Sequence, residues 1–256
     1  MNKKISFLIF FLSLFFSFSQ IHAQTPPPSP PPLDHSVFTQ LLKKFVNKKG
    51  HVDYRSFKRN KDALNTLGHY VEDLLQINAV NLISEADQKA YGINLYNALV
   101  LRDILKSYPV QSVMEIPHFF DGPRYELKGD EGKKLSLNDI EQFLREKFSD
   151  PSLHLMLVNG SSGGPRFMPE AFEAASLHKK MEEAMLNFLR DPSKNFYNFR
   201  ANTFFASPIF LWFEDDFKNS QYLSAKNFIG ARVPLPVGFR MGYSSYDWQL
   251  NDSKLH

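Results

Sequence analysis

Three residue types that can do chemistry sit close together in the middle of this chain. His154 is the one polar side chain of the apolar run Leu153–Val158, and the loop Asn159-Gly160-Ser161-Ser162-Gly163-Gly164 follows it directly. Gly160 to Gly164 fits the G-x-S-x-G pattern, in which a serine on a tight turn after a strand is activated by a histidine base. Ser161 and Ser162 are the candidate nucleophiles, His154 the candidate base and Glu141 the carboxylate that interacts with it or with a helix end. The context argues against this chemistry. Pro165, Arg166 and Phe167 stand where the elbow should enter a helix, and His178 and His256 are the histidines that follow the serines. In an extended strand, moreover, the ring of His154 faces away from an immediate neighbour. A second use of the loop is an anion cradle built from unencumbered backbone N–H groups. Arg166 would assist it, but the Gly-Lys-Ser/Thr of a nucleotide-binding loop is absent.

A third reading needs no reaction. Asn94 and Asn97 lie three positions apart on one side of a helix that is apolar all round. Buried amides must find partners, so these two imply a specific polar network that ties the helix to neighbouring loops. Lining a cleft is the functional alternative. Glu141, His154, Asn159 and Asp247 complete the candidate network, with Asp247 inside an aromatic wall made by Tyr246 and Trp248.

Composition limits the classes. The 256 residues contain no cysteine, which excludes disulfides, thiolate nucleophiles and thiolate zinc sites. His69 with Glu72, and His178 with Glu182, read as ion pairs rather than metal ligands, and no metal or cofactor is called for. Lys3 and Lys4 precede the charge-free, mostly apolar run Ile5–Phe18, and Ala23 offers a cleavage point. That is the pattern of a secretory signal peptide; an uncleaved anchor is the alternative and would be the chain's one membrane attachment. Loss of residues 1–23 removes two lysines and no acid, so the formal charge of +3 falls to +1. A near-neutral mature chain carries no electrostatic footprint for nucleic acid.

The elements that must position these groups follow in order. Residues 24–33, with Thr25–Pro32 reading TPPPSPPP, form a stiff spacer, and 34–256 form one domain. Helices are expected over 34–46, with Val37 inward and Asp34 as cap, and over 60–75. A further helix opens with the capping signature Ser84/Asp87 and runs over 85–106. The stretch from Ser136 to Phe148 reads as a capped helix, Leu153–Val158 as a buried strand, and Glu170–Leu189 as a helix begun by Pro169. Short strands are expected at 110–116, 124–127 and 202–206, an amphipathic helix after Ser207-Pro208, and edge strands and loops over 228–243.

Four segments, AYGINLYNALVLRDILKSYPV (90–110), LSLNDIEQFLREKFSDPSLHLMLVNGSSGGP (135–165), NTFFASPIFLWFEDDF (202–217) and YDWQLN (246–251), together resemble the family called domain of unknown function 547. The resemblance implies an α+β fold with a distant likeness to papain-like or transglutaminase-like proteins. It also implies cysteines at positions 159 and 164, where this chain has Asn159 and Gly164, and a tryptophan where it has Gly92. Any thiol chemistry of the family is therefore lost here.

The expectation is a mostly helical α+β domain with a small antiparallel sheet containing Leu153–Val158, exported to the periplasm or secreted. Its leading role is a non-catalytic binding or structural module for a protein, peptide or small-molecule ligand of the envelope. The alternative is a hydrolase or acyl-transfer enzyme using Ser161 or Ser162 with His154.

Overall fold

The computed structural model describes residues 33–82, 84–129 and 132–255. The signal-peptide reading, the Thr25–Pro32 spacer and His256 lie outside the described residues.

The fold is built around the 23-residue helix α4, Glu85–Ser107. Its start is fixed by a capping box: Ser84 accepts from the Asp87 N–H, and the Asp87 carboxylate accepts from the Ser84 N–H. From Ala90 to Leu105 nearly every side chain is buried, because other elements cover α4 on several sides. Helices α1 (Ser36–Phe45), α2 (Tyr54–Arg59) and α3 (Lys61–Leu75) form one layer against it, and α5 (Leu137–Phe148) another. The close approach of α5 requires Gly92: a Cβ there would lie well inside contact distance of the Leu144 side chain.

Asn60 and Ser136 cap α3 and α5 through their side chains; Ser136 is the cap that the sequence leads one to expect. Asp34 does not cap α1 in the usual place. It binds the Ser36 N–H at 2.8 Å, while Val37 faces outward and Phe38 is buried in its stead.

Residues 153–158 do not form a strand. Asp150 accepts from the backbone and hydroxyl of Ser152, Pro151 opens the turn, and Pro151–Leu155 is a 3-10 helix. The stretch is buried throughout, and a short continuous apolar run carries no period that separates a buried strand from a buried turn.

The sheet lies elsewhere and is mixed. Strand β1 (Phe196–Asn198) pairs antiparallel with β2 (Thr203–Ala206), and β2 pairs parallel with β3 (Arg240–Tyr243). The α+β class holds; the all-antiparallel sheet around His154 does not.

Helix α6 begins at Leu177, not at Glu170. The N–H groups of Ala171 and Phe172 are taken by Thr39 Oγ1 and Asn94 Oδ1, so the chain there is held extended. The expected strands at 110–116 and 124–127 reduce to single bridges, Ser112 with Gln249 and Tyr125 with Leu135, since Val113–Glu115 curls into a 3-10 turn on Ser112. The helix after Pro208 breaks at Phe213 into α7 (Ile209–Trp212) and α8 (Glu214–Lys218), and α9 spans Ala225–Gly230. Glu182 approaches Arg232 at 3.4 Å rather than pairing with His178. Among the described residues no helix is long and apolar enough to cross a membrane.

Candidate functional site

The 3-10 turn after α5 delivers His154 into the interior, where it is 3% exposed. Its ring stacks on Phe213, with centroids 3.7 Å apart and planes 14° from parallel. Nε2 lies 2.7 Å from Asp216 Oδ2. The same carboxylate accepts two bonds from Arg145, Nε to Oδ2 at 2.7 Å and Nη2 to Oδ1 at 3.0 Å. The hydrogen bond from His154, with those from Arg145, holds the Asp216 carboxyl well below the usual carboxylate range. An ionised carboxylate only accepts, so Nε2 carries the proton. Among the described residues the buried Nδ1 makes no hydrogen bond, and Glu141 Oε1 stands 3.4 Å away.

His154 and Glu141 border a cleft of about 230 Å³ whose other walls include Tyr96, Phe120, Asn138, Asn159, Trp212, Phe213 and Trp248. Trp212 and Trp248 stack at 5.8 Å and 21°, and both pack on Tyr246. Burial and the nearby Glu141 push the Tyr96 hydroxyl well above its ordinary pKa. Two larger grooves, of about 530 and 540 Å³, lie on other faces and contain neither His154 nor the Gly/Ser loop.

The loop serines are engaged away from His154. Ser161 is buried; its hydroxyl donates to Asn159 Oδ1 at 2.6 Å and lies 2.8 Å from the Tyr246 hydroxyl. Ser162 donates to the Leu250 carbonyl at 3.2 Å. The loop backbone is laced to the C-terminal segment: Ser162 N–H binds Gln249 O, Gly163 N–H binds Asp247 O, and Asn251 N–H binds Gly160 O. Gly160 holds a φ of +81°, and a Cβ there would press into Ile104 and Val113. The glycines thus serve close packing under the loop. Neither serine lines the cleft.

The two asparagines act as backbone mimics. Asn94 donates to Phe172 O at 2.7 Å and accepts from Phe172 N–H at 3.0 Å. Asn97 does the same across the turn, donating to Met156 O at 3.0 Å and accepting from Val158 N–H at 2.8 Å. Each fixes a loop, and Asn97 thereby sets the position of the adjacent Asn159. Asn159 Nδ2 in turn donates to the Tyr246 hydroxyl at 2.6 Å. Asp247 does not join this group; it is exposed and its carboxylate accepts from the Gln249 N–H, shaping its own turn.

Sequence reasoning thus assembled His154, Glu141 and Asn159 and the Tyr246/Trp248 wall, but missed Asp216, Arg145, Phe213 and Trp212. No local spacing could have joined Arg145 to Asp216, 71 positions apart. Arg166, the anion-cradle candidate, packs its stem where a Cβ on Gly50 would fall. Among the described residues no group of three or more histidines and acids could hold a metal.

Positions 159 and 164, where the resemblance implies cysteines, are neighbours in space: a Cβ on Gly164 would collide with Asn159 Oδ1 and the Tyr246 hydroxyl. In this chain the Asn159 amide occupies the room that a side chain at 164 would need.

The family model described as "Protein of unknown function, DUF547" matches residues 80–189, in agreement with the resemblance read from the sequence. Segments 202–217 and 246–251, which supply Asp216, Trp212, Phe213, Tyr246 and Trp248, lie beyond that range. No curated protein and no solved structure matches the chain, so neither comparison supports a papain-like or transglutaminase-like relation.

Proposed function

We propose that this chain is a non-catalytic binding module, exported through its N-terminal segment, with the cleft beside His154 as its ligand site. One observation supports the reading: among the described residues the cleft offers recognition groups but no activated nucleophile. A covalent mechanism needs a nucleophile within hydrogen-bond reach of its base. The nitrogens of His154 instead face two carboxylates, and Ser161 and Ser162 bond to Asn159, Tyr246 and Leu250. Asn159, at one of the positions where the resemblance implies a cysteine, cannot form a thiolate. The Tyr96 hydroxyl, held neutral by burial, is a poor substitute. What is left suits recognition: aromatic faces, a carboxylate and amide groups around a concave surface.

Labelling with a serine-reactive fluorophosphonate tests the alternative hydrolase reading. The binding reading expects no labelling of the purified protein. Labelling that disappears in Ser161→Ala or Ser162→Ala overturns it. Export is tested by N-terminal sequencing of the protein recovered outside the cytoplasm, with Gln24 as the expected first residue. Recovery of the intact Met1 chain in the cytoplasm contradicts export.

A further inference from the structure

We propose that the cleft takes a protonated organic amine, its N–H groups on the Glu141 carboxylate and its alkyl part against the Trp212 and Trp248 rings. This rests on the binding reading and names the class of ligand.

The first ground is a carboxylate at the cleft. Arg145 and His154 Nε2 both bind Asp216, whereas Glu141 Oε1 stands 3.4 Å from His154 Nδ1, which makes no hydrogen bond among the described residues. The His154 side chain is 0% exposed and that of Glu141 19%, so a donor entering the cleft meets Glu141.

The second ground is charge. Among the described residues Glu141 is the one acidic side chain that lines the cleft, and neither lysine nor arginine lines it. The nearest guanidinium, on Arg145, is held in a two-bonded grip on Asp216.

The third ground is the walls. Phe120, Trp212 and Trp248 line the cleft, and aromatic rings attract cations and cover apolar stems; Trp212 is 47% exposed. A carboxylate among aromatic rings selects an ammonium over an anion, and its charge-assisted hydrogen bonds select N–H donors over a fully alkylated nitrogen.

The chain's two tryptophans, Trp212 and Trp248, both line this cleft, so intrinsic tryptophan emission reports its occupancy. We would titrate the full mature protein with pentan-1-amine at neutral pH, then with pentan-1-ol and with tetramethylammonium. The expected result is a saturable emission change with the amine, and affinities at least about tenfold weaker for the other two. Glu141→Gln should weaken the amine by about tenfold or more at unchanged melting temperature. If that variant fails to fold, ionic strength decides: rising salt should weaken the amine and leave the alcohol unaffected. Silence with the amine, equal affinity for amine and alcohol, or salt-independent amine binding each overturns the proposal. Saturable binding of the alcohol alone rejects the amine while the binding reading stands; fluorophosphonate labelling rejects the binding reading itself.

Discussion

His154 and Asp216, 62 positions apart, meet at 2.7 Å, and Arg145 holds both oxygens of the same carboxylate. The contact joins the 3-10 turn after α5 to α8 and so fixes one wall of the cleft. Asp216→Asn keeps the shape and removes the charge that orients both partners. It should lower stability by about 2 kcal/mol, the range for hydrogen bonds to charged groups, as read by urea denaturation at pH 7. The Asp216 pKa is depressed in the folded protein. Its stabilisation is therefore present above the unfolded-state value and is lost as pH falls through the folded one. The gap between wild type and variant should persist at pH 5 and close only in strong acid. A gap already closed at pH 5 would show that the charge contributes little.

Gly92 and Gly68 predict opposite signs for one substitution. Both lie in helices, where glycine costs up to about 1 kcal/mol relative to alanine. A Cβ on Gly68 meets nothing within 4 Å, whereas one on Gly92 drives into Leu144. Gly68→Ala should gain about 0.5–1 kcal/mol. Gly92→Ala should lose about 1–2 kcal/mol net, because overpacking between α4 and α5 outweighs propensity. Chemical denaturation of both variants checks the pair, and equal signs would refute the packing argument.

His35 gives the fold a pH dependence of its own. It is buried with Nδ1 2.6 Å from the Tyr70 hydroxyl, and burial pushes its pKa down to about 4, against the pull of Asp34 and Asp87. The unfolded state, with an ordinary histidine, binds the proton more readily. Stability should therefore fall as pH drops from about 6.5 towards 4, by on the order of 3 kcal/mol in total. His35→Gln should remove that slope. A wild-type stability flat between pH 7 and 4.5, or an unchanged slope in the variant, contradicts this account of His35.

The helices were legible where local signals agree. The capping boxes of Ser84 and Ser136 and the all-round apolar surface of α4 gave boundaries and burial together. The amides of Asn94 and Asn97 could be read as buried groups needing partners; that each would bind one peptide unit in both directions could not. His154 was found as the polar exception in an apolar run, but its strand was not, because Asp150 and Pro151 cap a turn as readily as they end a helix. The site's far wall was least legible. Asp216 and Phe213 owe their roles to contacts made across more than half a hundred positions, and no periodicity along the chain encodes which acid meets which base.

The central claim is that the cleft beside His154 binds without catalysing. The most direct measurement is turnover of chromogenic esters and amides by the purified protein, set beside His154→Gln. The account predicts rates at the uncatalysed background for both proteins with every substrate. Turnover by the wild type that disappears in His154→Gln would contradict it.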